Sequence, residues 1–443
     1  MIQITDKRHC CGCEACVQVC PKRCISMKRD AEGFLYPVAD SSVCVECGLC
    51  EKVCPVLNQY ERHEPMQVLA AINKDEAVRI KSSSGGMFTL LAEETIDKGG
   101  VVFGARFDDD WQVVIDVAET MEQIAPFRGS KYVQARIGDS YAKCKKFLDA
   151  GREVMFTGTP CQIAGLQHFL RKPYENLTTV DFICHGVPSP GVWKRYLNEV
   201  VTAGRQAIKD VNFRNKSKGW KRFSFAIDYR GDSDTISLVS PLDKNPYMRV
   251  FLNDMILRPS CHNCPAKAGK GRSDITIADF WGVQNVVPLM DDDKGTSLVL
   301  VNTEKGKSAI PFERLLFAET NREAFRYNSA YFNSAKPNPR REEFFTAYSK
   351  GTDDLHRIIA HSLRLTPKQK AKRLLRYPIM QVRKLVSMLL HKEVKKTTGG
   401  GKLCVNAQYT VPSSNLKTCG INFRDKHNGW KHYMLRIDFK DTK

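Results

Sequence analysis

Cys10-Cys11-Gly12-Cys13-Glu14-Ala15-Cys16-Val17-Gln18-Val19-Cys20-Pro21 and Cys44-Val45-Glu46-Cys47-Gly48-Leu49-Cys50-Glu51-Lys52-Val53-Cys54-Pro55 are two copies of one phrase, C-x2-C-x2-C-x3-C-P. The short spacings let one tight loop aim three thiolates at three corners of an iron–sulfur cubane. The fourth cysteine, carried onto a short helix after its loop, reaches the other cluster. Cys10, Cys13, Cys16 and Cys54 are therefore expected to hold one [4Fe–4S] cluster, and Cys44, Cys47, Cys50 and Cys20 a second. The competing reading is two zinc knuckles. Zinc sites usually pair two C-x2-C halves across a longer loop, and a doubled run of three cysteines plus Cys-Pro matches that poorly. Cys11 and Cys24 fall outside the pattern and are read as bystanders.

On these two runs, residues 1 to about 60 resemble bacterial dicluster ferredoxins. The remainder is long enough for further domains: 443 residues with 42% apolar content leave room for two or three. Ten of the 17 cysteines lie within the first 54 residues, a clustering that suits metal ligands in a reducing compartment better than disulfides. The start, Met1-Ile2-Gln3-Ile4-Thr5-Asp6-Lys7-Arg8, has no apolar signal core, and no run of about 18 apolar residues occurs, so a cytoplasmic protein is expected. The net charge of +19 is uneven. Residues 336–443 hold 24 Lys and Arg against 8 Asp and Glu, which leaves +3 for the first 335 residues. The basicity belongs to a tail and says little about the body.

After the first module, Met66–Ile72 reads as a buried strand. Lys81-Ser82-Ser83-Ser84-Gly85-Gly86 then opens a helix with apolar positions at Met87, Leu90, Leu91 and Ile96, closed by Gly99-Gly100 before a strand over Val101–Phe107. A Ser/Gly-rich helix start offers N–H groups and hydroxyls to a phosphate or a flavin edge; it also serves as an ordinary cap. Glu153–Gly158 is a strand leading into Thr159 as N-cap and Pro160 as first helical residue, and Thr178–Cys184 is the next strand. This βαβ pattern predicts a locally parallel sheet, with ligands at the carboxyl ends of its strands. Cys161 and Cys184 fall at such ends. Taken singly they read as core thiols, and Cys261 and Cys264 in Arg258-Pro259-Ser260-Cys261-His262-Asn263-Cys264 read as half a metal site. Together the four suffice for a third [4Fe–4S] cluster. Cys144 sits mid-helix and reads as structural, and His185 and His262 read as proton donors or as partners behind a metal site.

Six pieces in one order, over roughly residues 65–330, resemble the family of coenzyme F420 hydrogenase/dehydrogenase beta subunits. The six are Ser84-Gly85-Gly86, Arg128-Gly129-Ser130-Lys131-Tyr132-Val133, Gly158-Thr159-Pro160-Cys161-Gln162, Cys184-His185-Gly186-Val187-Pro188-Ser189, Cys261-His262-Asn263-Cys264 and Asp274-Ile275-Thr276-Ile277-Ala278-Asp279-Phe280-Trp281-Gly282. The resemblance implies FAD near an iron–sulfur cluster, exchanging a hydride with a substrate such as coenzyme F420 and single electrons with the clusters. By resemblance, Ser83, Ser84, Gly85, Gly86, Lys131, Thr159 and Pro160 surround the flavin. The substrate does not carry over, because one fold hosts several.

The tail holds a basic stretch, Lys368–Lys396, in which Pro378–His391 reads as an amphipathic helix. Such a stripe either packs on the body or lies on an anionic membrane surface. No nucleic-acid motif accompanies the charge, so no nucleic-acid partner is expected. Past Thr397-Thr398-Gly399-Gly400-Gly401, residues 421–439 (INFRDKHNGWKHYMLRIDF) repeat residues 211–229 (VNFRNKSKGWKRFSFAIDY) at an offset of 210, which suggests a duplicated β-hairpin.

The expected architecture is mixed α+β and α/β. It comprises a dicluster ferredoxin module (1–60), a flavin-binding domain in two parts (65–145 and 146–335), a basic helical tail (336–400) and a linker with the partial repeat (401–443). The expected activity is an iron–sulfur flavoprotein oxidoreductase with two [4Fe–4S] clusters, a third cluster and FAD. It would be served by a one-electron partner such as ferredoxin and by a hydride-exchanging small molecule. The alternatives are a non-catalytic electron relay to a separate reductase, and an accessory protein of a membrane or polysaccharide-synthesis complex.

Overall fold

Both cysteine runs fold as a loop followed by a short helix, Ala15–Val19 in the first and Leu49–Lys52 in the second. Each loop turns through two left-handed residues at matching places: Gly12 and Glu14 (φ 71° and 59°), then Glu46 and Gly48 (φ 53° and 71°). The chain between them forms an antiparallel ribbon of β1 (Ile25–Arg29) and β2 (Leu35–Ala39), with Ile25 opposite Ala39. The computed structural model describes residues 1–200, 208–230, 235–364, 418–425 and 429–436.

The body is built on one large sheet. Its strands in chain order are β3 (Gln67–Asn73), β4 (Val101–Phe107), β5 (Val113–Ala118), β6 (Val154–Thr157) and β7 (Leu177–Phe182). A separate antiparallel group follows, β8 (Ile208–Asn215), β9 (Ser224–Arg230) and β10 (Thr235–Pro241), before β11 (Ile275–Asp279), β12 (Ser297–Val301) and β13 (Leu315–Thr320) return to the large sheet. The order across the eight strands is β13-β3-β12-β11-β7-β6-β4-β5. Strands β4, β6, β7 and β11 run parallel, as the βαβ pattern predicts. Strand β12 lies antiparallel between β3 and β11, which makes the whole sheet mixed. The carboxyl ends of β3, β11, β7, β6 and β4 consequently share one edge. Helices Met87–Asp97 and Pro160–Leu170 cover this sheet, the second opening on a capping box between Thr159 and Gln162.

Packing fuses the cysteine module to this sheet. Cys11, Cys13, Ala15 and Val53 share a core with Phe103, Phe156, Ile163 and Leu166. Cys10, Phe34 and Tyr36 join a second core with Trp193, Phe213 and Tyr247. Helices Arg341–Lys350 and Leu355–Ser362, within the segment read as tail, bury Phe344, Phe345, Leu355, Ile358 and Ile359 in that second core. Cys144 is buried mid-helix. No helix among the described residues is long and apolar enough to cross a membrane.

Residues 364–443 form a second unit. The stretch 378–391 lies outside the described residues. The repeat is a hairpin of β14 (Thr418–Asp425) and β15 (Gly429–Arg436). Its register differs from the first copy. Val211 pairs with Ile227, whereas the equivalent Ile421 pairs with Tyr433, four residues nearer the turn. The shift shortens the connection between the two strands. It also moves Gly429-Trp430 into a strand, where Gly219-Trp220 lie in a loop.

Candidate functional site

The two cysteine loops exchange their fourth residues. Cys10, Cys13, Cys16 and Cys54 line one hollow of about 340 Å³, together with Cys11. Cys20, Cys44, Cys47 and Cys50 line another of about 360 Å³, together with Cys24, whose thiol lies 3.4 Å from that of Cys20. The two ligand sets are those required when each run's last cysteine reaches the other cluster. The environments differ. All four thiols of the first set are buried, whereas Cys20 and Cys44 are half-buried and Cys47 is exposed. Burial pushes the Cys16 and Cys54 thiols up, the direction expected for ligands that become thiolates only when a metal displaces their protons. Among the described residues no three His, Cys, Asp or Glu side chains are set around a single ion. A cubane places one thiolate on each of four irons, so its ligands surround a body and need not converge on a point.

A third group of thiols forms at the sheet edge. Cys161 is the second residue of the helix after β6, and Cys184 follows the end of β7, its parallel neighbour. Cys261 and Cys264 belong to the turn Pro259–Asn263 and its end. The four lie near enough that, after burial itself, repulsion from the others raises Cys184, Cys261 and Cys264; Cys261 is pushed up to about 12. The backbone N–H of Val187 donates to Cys261 Sγ at 3.4 Å, and Thr159 Oγ1 lies 3.2 Å from Cys161 Sγ. Lys267 Nζ donates to the carbonyls of Cys184 and Ala330 and brings a positive charge alongside. This donor set fits an iron–sulfur cluster: four thiols, N–H···S bonding and a nearby cation. Cys11 is not a bystander in space. It shares one buried core with Cys13, and Cys161 packs against that core, so the first buried set and the third adjoin. His185 pairs through Nε2 with Asp254 at 2.5 Å, and His262 Nδ1 bonds to the Ala335 carbonyl.

The residues expected around a flavin divide into two kinds. The 83–86 loop sits over the end of β3, with Asn73 N donating to Gly85 O and Gly85 N to Ser297 Oγ. Ser83 Oγ meets Ser130 Oγ at 2.9 Å, which joins this loop to the 128–131 loop. Buried donors around these loops lack acceptors in the protein: Asn73 Nδ2, Arg128 Nε and Arg214 Nε. Such orphans suit a ligand that brings its own acceptors. Lys131 differs. Its amine donates to the carbonyls of Pro126, Arg128 and Gly129, and burial pushes it down to about 7. Thr159 caps its helix, and Pro160 starts it.

Sequence reasoning missed Arg214 and Lys216, which reach the 83–86 loop from β8 and the loop after it, and Trp220, which shares Asp279 with Arg214. Arg214 donates to Asp279 Oδ1 at 2.7 Å and to Ser83 O at 3.4 Å, and its guanidinium lies 3.7 Å from the Phe223 ring centre. Trp220 Nε1 donates to the same Asp279 oxygen and stacks on Trp281, ring centres 5.0 Å apart. Lys216 Nζ donates to the Ser84 carbonyl at 3.0 Å. The available signal was the repeat, since Arg214, Lys216 and Trp220 all recur in it.

Three family models match separate stretches of the chain. Residues 9–58 match the 4Fe-4S dicluster domain, residues 68–139 the N-terminal region of the coenzyme F420 hydrogenase/dehydrogenase beta subunit, and residues 151–313 its C-terminal region. The chain is 25% identical over 165 residues to one of the subunits of the F(420)H(2) dehydrogenase of Methanosarcina mazei, covering 34% of this chain and 46% of that one. It is 48% identical over 42 residues to a 7Fe ferredoxin of Hydrogenibacillus schlegelii, covering 10% and 47%. The chain thus spans about half the length of these curated relatives. A chain of the F420-reducing [NiFe] hydrogenase complex of Methanosarcina barkeri aligns with a TM-score of 0.40 and 18% identity, over 67% of this chain and 91% of that one. With its N-terminal region a 4Fe–4S-binding dicluster domain, the chain belongs to the family of coenzyme F420 hydrogenase/dehydrogenase beta subunits.

Proposed function

We propose that the chain is an iron–sulfur flavoprotein oxidoreductase. Cys161, Cys184, Cys261 and Cys264 hold a third cluster, and the 83–86 loop holds the edge of an FAD whose substrate is coenzyme F420 or another hydride-exchanging small molecule. When bound, a flavin supplies the exchange between hydride pairs and single electrons that clusters alone cannot perform. The observation that carries the reading is the core shared by Cys11 and Cys13, against which Cys161 packs, so that the dicluster module adjoins the sheet edge. The exposed side of Cys44 and Cys47 suits an external one-electron carrier such as a ferredoxin. Asn73, Arg128 and Arg214 supply buried donors for the flavin, Ser83 its hydroxyl, and Lys131 orders the 128–131 loop from within.

One observation favours a second reading, an electron relay without flavin: the polar groups of Thr159 and Lys131 are taken up by neighbouring residues, Thr159 by Gln162 and Lys131 by the carbonyls of Pro126, Arg128 and Gly129. Iron and flavin content per chain, measured on protein purified without oxygen, separates the two. About twelve irons and one flavin support the enzyme, since each cubane holds four irons. About eight irons confine the clusters to residues 10–54, and absence of flavin from that sample leaves the relay.

A further inference from the structure

Arg258 is a fully buried cation with no carboxylate among its hydrogen-bond partners. Its side chain comes from the sheet domain, just before the turn that carries Cys261, and enters the first cysteine loop. Nε donates to Cys10 O at 2.7 Å, Nη1 to Gln134 Oε1 at 3.0 Å, and Nη2 to both Leu35 O at 2.9 Å and Cys10 Sγ at 3.4 Å. The guanidinium also lies 4.2 Å from the Tyr36 ring centre. Glu14 is near enough to feel this charge, but its two oxygens accept from the backbone N–H groups of Ile137 and Gly138. An unpaired buried charge is costly, and native proteins almost always supply a partner. Here the partner fits the ligand set: four cysteine thiolates around iron make an anion, and Cys10 is one of the four.

We infer that Arg258 is the built-in counter-ion of the cluster held by Cys10, Cys13, Cys16 and Cys54, and that it raises this cluster's reduction potential, offsetting the cost of adding charge at a buried site. Reduction adds one negative charge beside a fixed positive charge and an N–H···S bond, both of which favour the reduced form. The second loop receives a backbone N–H, from Glu46 to Cys44 Sγ at 3.4 Å, and lies against solvent. Two near-identical motifs are thereby given unequal surroundings, a fixed cation at the buried one and solvent at the other. Arg258 is a positioning residue, acting through Cys10. The inference rests on Cys10 being a cluster ligand, which iron loss in Cys10→Ser tests separately.

The test is a potentiometric titration of the full chain by electron paramagnetic resonance, comparing the wild type with Arg258→Met and Arg258→Lys at equal iron content. In Arg258→Met, one cluster's ratio of reduced to oxidised form at a fixed potential should fall at least tenfold, about 59 mV for a one-electron couple. The cluster at Cys20, Cys44, Cys47 and Cys50 should titrate as in the wild type, and Arg258→Lys should recover most of the shift. Unchanged potentials, or equal shifts in the two clusters of residues 10–54, would overturn the inference. If Arg258→Met does not fold or loses iron, pulsed resonance on reduced wild-type protein with ¹⁵N in its arginine side chains decides. A ¹⁵N coupling to one cluster supports the counter-ion; its absence rejects it.

Discussion

The loops at residues 10–16 and 44–50 have the same cysteine spacing and the same two left-handed turns, yet one is walled in and the other faces water. Around the first, the sheet domain supplies Arg258, Gln134 and the helix Pro160–Leu170, with Cys13 Sγ lying 3.0 Å from where a Cβ on Gly165 would sit. Around the second, Val45, Glu46 and Cys47 are exposed. A motif therefore specifies which cysteines meet, while the surrounding domain specifies what the resulting cluster can do. Exposure, charge and hydrogen bonds to sulfur are the levers on cluster potential, and all three differ here between two copies of one phrase.

The largest expected difference concerns folding. Cys13→Ser and Cys47→Ser should each lose about four irons. Because Cys13 lies in a core shared with Phe103 and Phe156, its loss should also destabilise the sheet domain by several kcal/mol, on the order of the ligand-binding free energy that folding inherits. Cys47→Ser should leave the body's unfolding midpoint within a few degrees of the wild type. Thermal unfolding with iron analysis reads both, and equal drops would break the contrast. A smaller difference should appear in oxidative loss of iron. With ferricyanide and a chelator, bleaching should be biphasic, with the fast phase at least tenfold quicker and due to the exposed cluster. The fast phase should vanish in Cys47→Ser, and its survival there would show that exposure is not what separates the two sites.

Much of this contrast was legible in the sequence only as symmetry. The ligand exchange between loops is a matter of spacing, and spacing is local. So were the strand at β4, the Thr159 cap with Pro160 behind it, and the helix after Gly86. What escaped is non-local. Arg258 is separated from Cys10 by 248 residues, and no periodicity links them. Cys11 looked superfluous because Cys161, which packs against the same core, is 150 residues away and on another element. The antiparallel β12 within an otherwise parallel run had no local mark, since a buried strand reads alike in either direction. The helices at 341–350 and 355–362 were masked by tail charge, although Phe344, Phe345 and Ile358 already marked a buried face.

The backbone itself offers the finest comparison, because the loops place opposite residues at equivalent left-handed positions. Gly12 corresponds to Glu46, and Glu14 to Gly48. A side chain in this region costs about 1–2 kcal/mol. A Cβ at Gly12 would also sit 2.6 Å from Gln134 Nε2 and 2.9 Å from Arg258 Nη1, whereas one at Gly48 would meet nothing within 4 Å. Gly12→Ala should therefore cost about 2–4 kcal/mol, the overpacking adding to the strain, and should move the same cluster potential as Arg258→Met. Gly48→Ala should cost about 1–2 kcal/mol and leave both potentials alone. Glu46→Gly should be the smallest change and of the opposite sign. Glu46 is exposed, and glycine keeps the N–H that donates to Cys44 Sγ. Relief of the left-handed strain is largely offset by glycine's extra freedom in the unfolded chain, about 0.5–1 kcal/mol. The net gain is thus about 0.5 kcal/mol. Anaerobic urea midpoints order the three variants. Equal costs for Gly12→Ala and Gly48→Ala would mean that Arg258 and Gln134 yield freely at the first loop, and the wall that distinguishes the two clusters would then be soft rather than fixed.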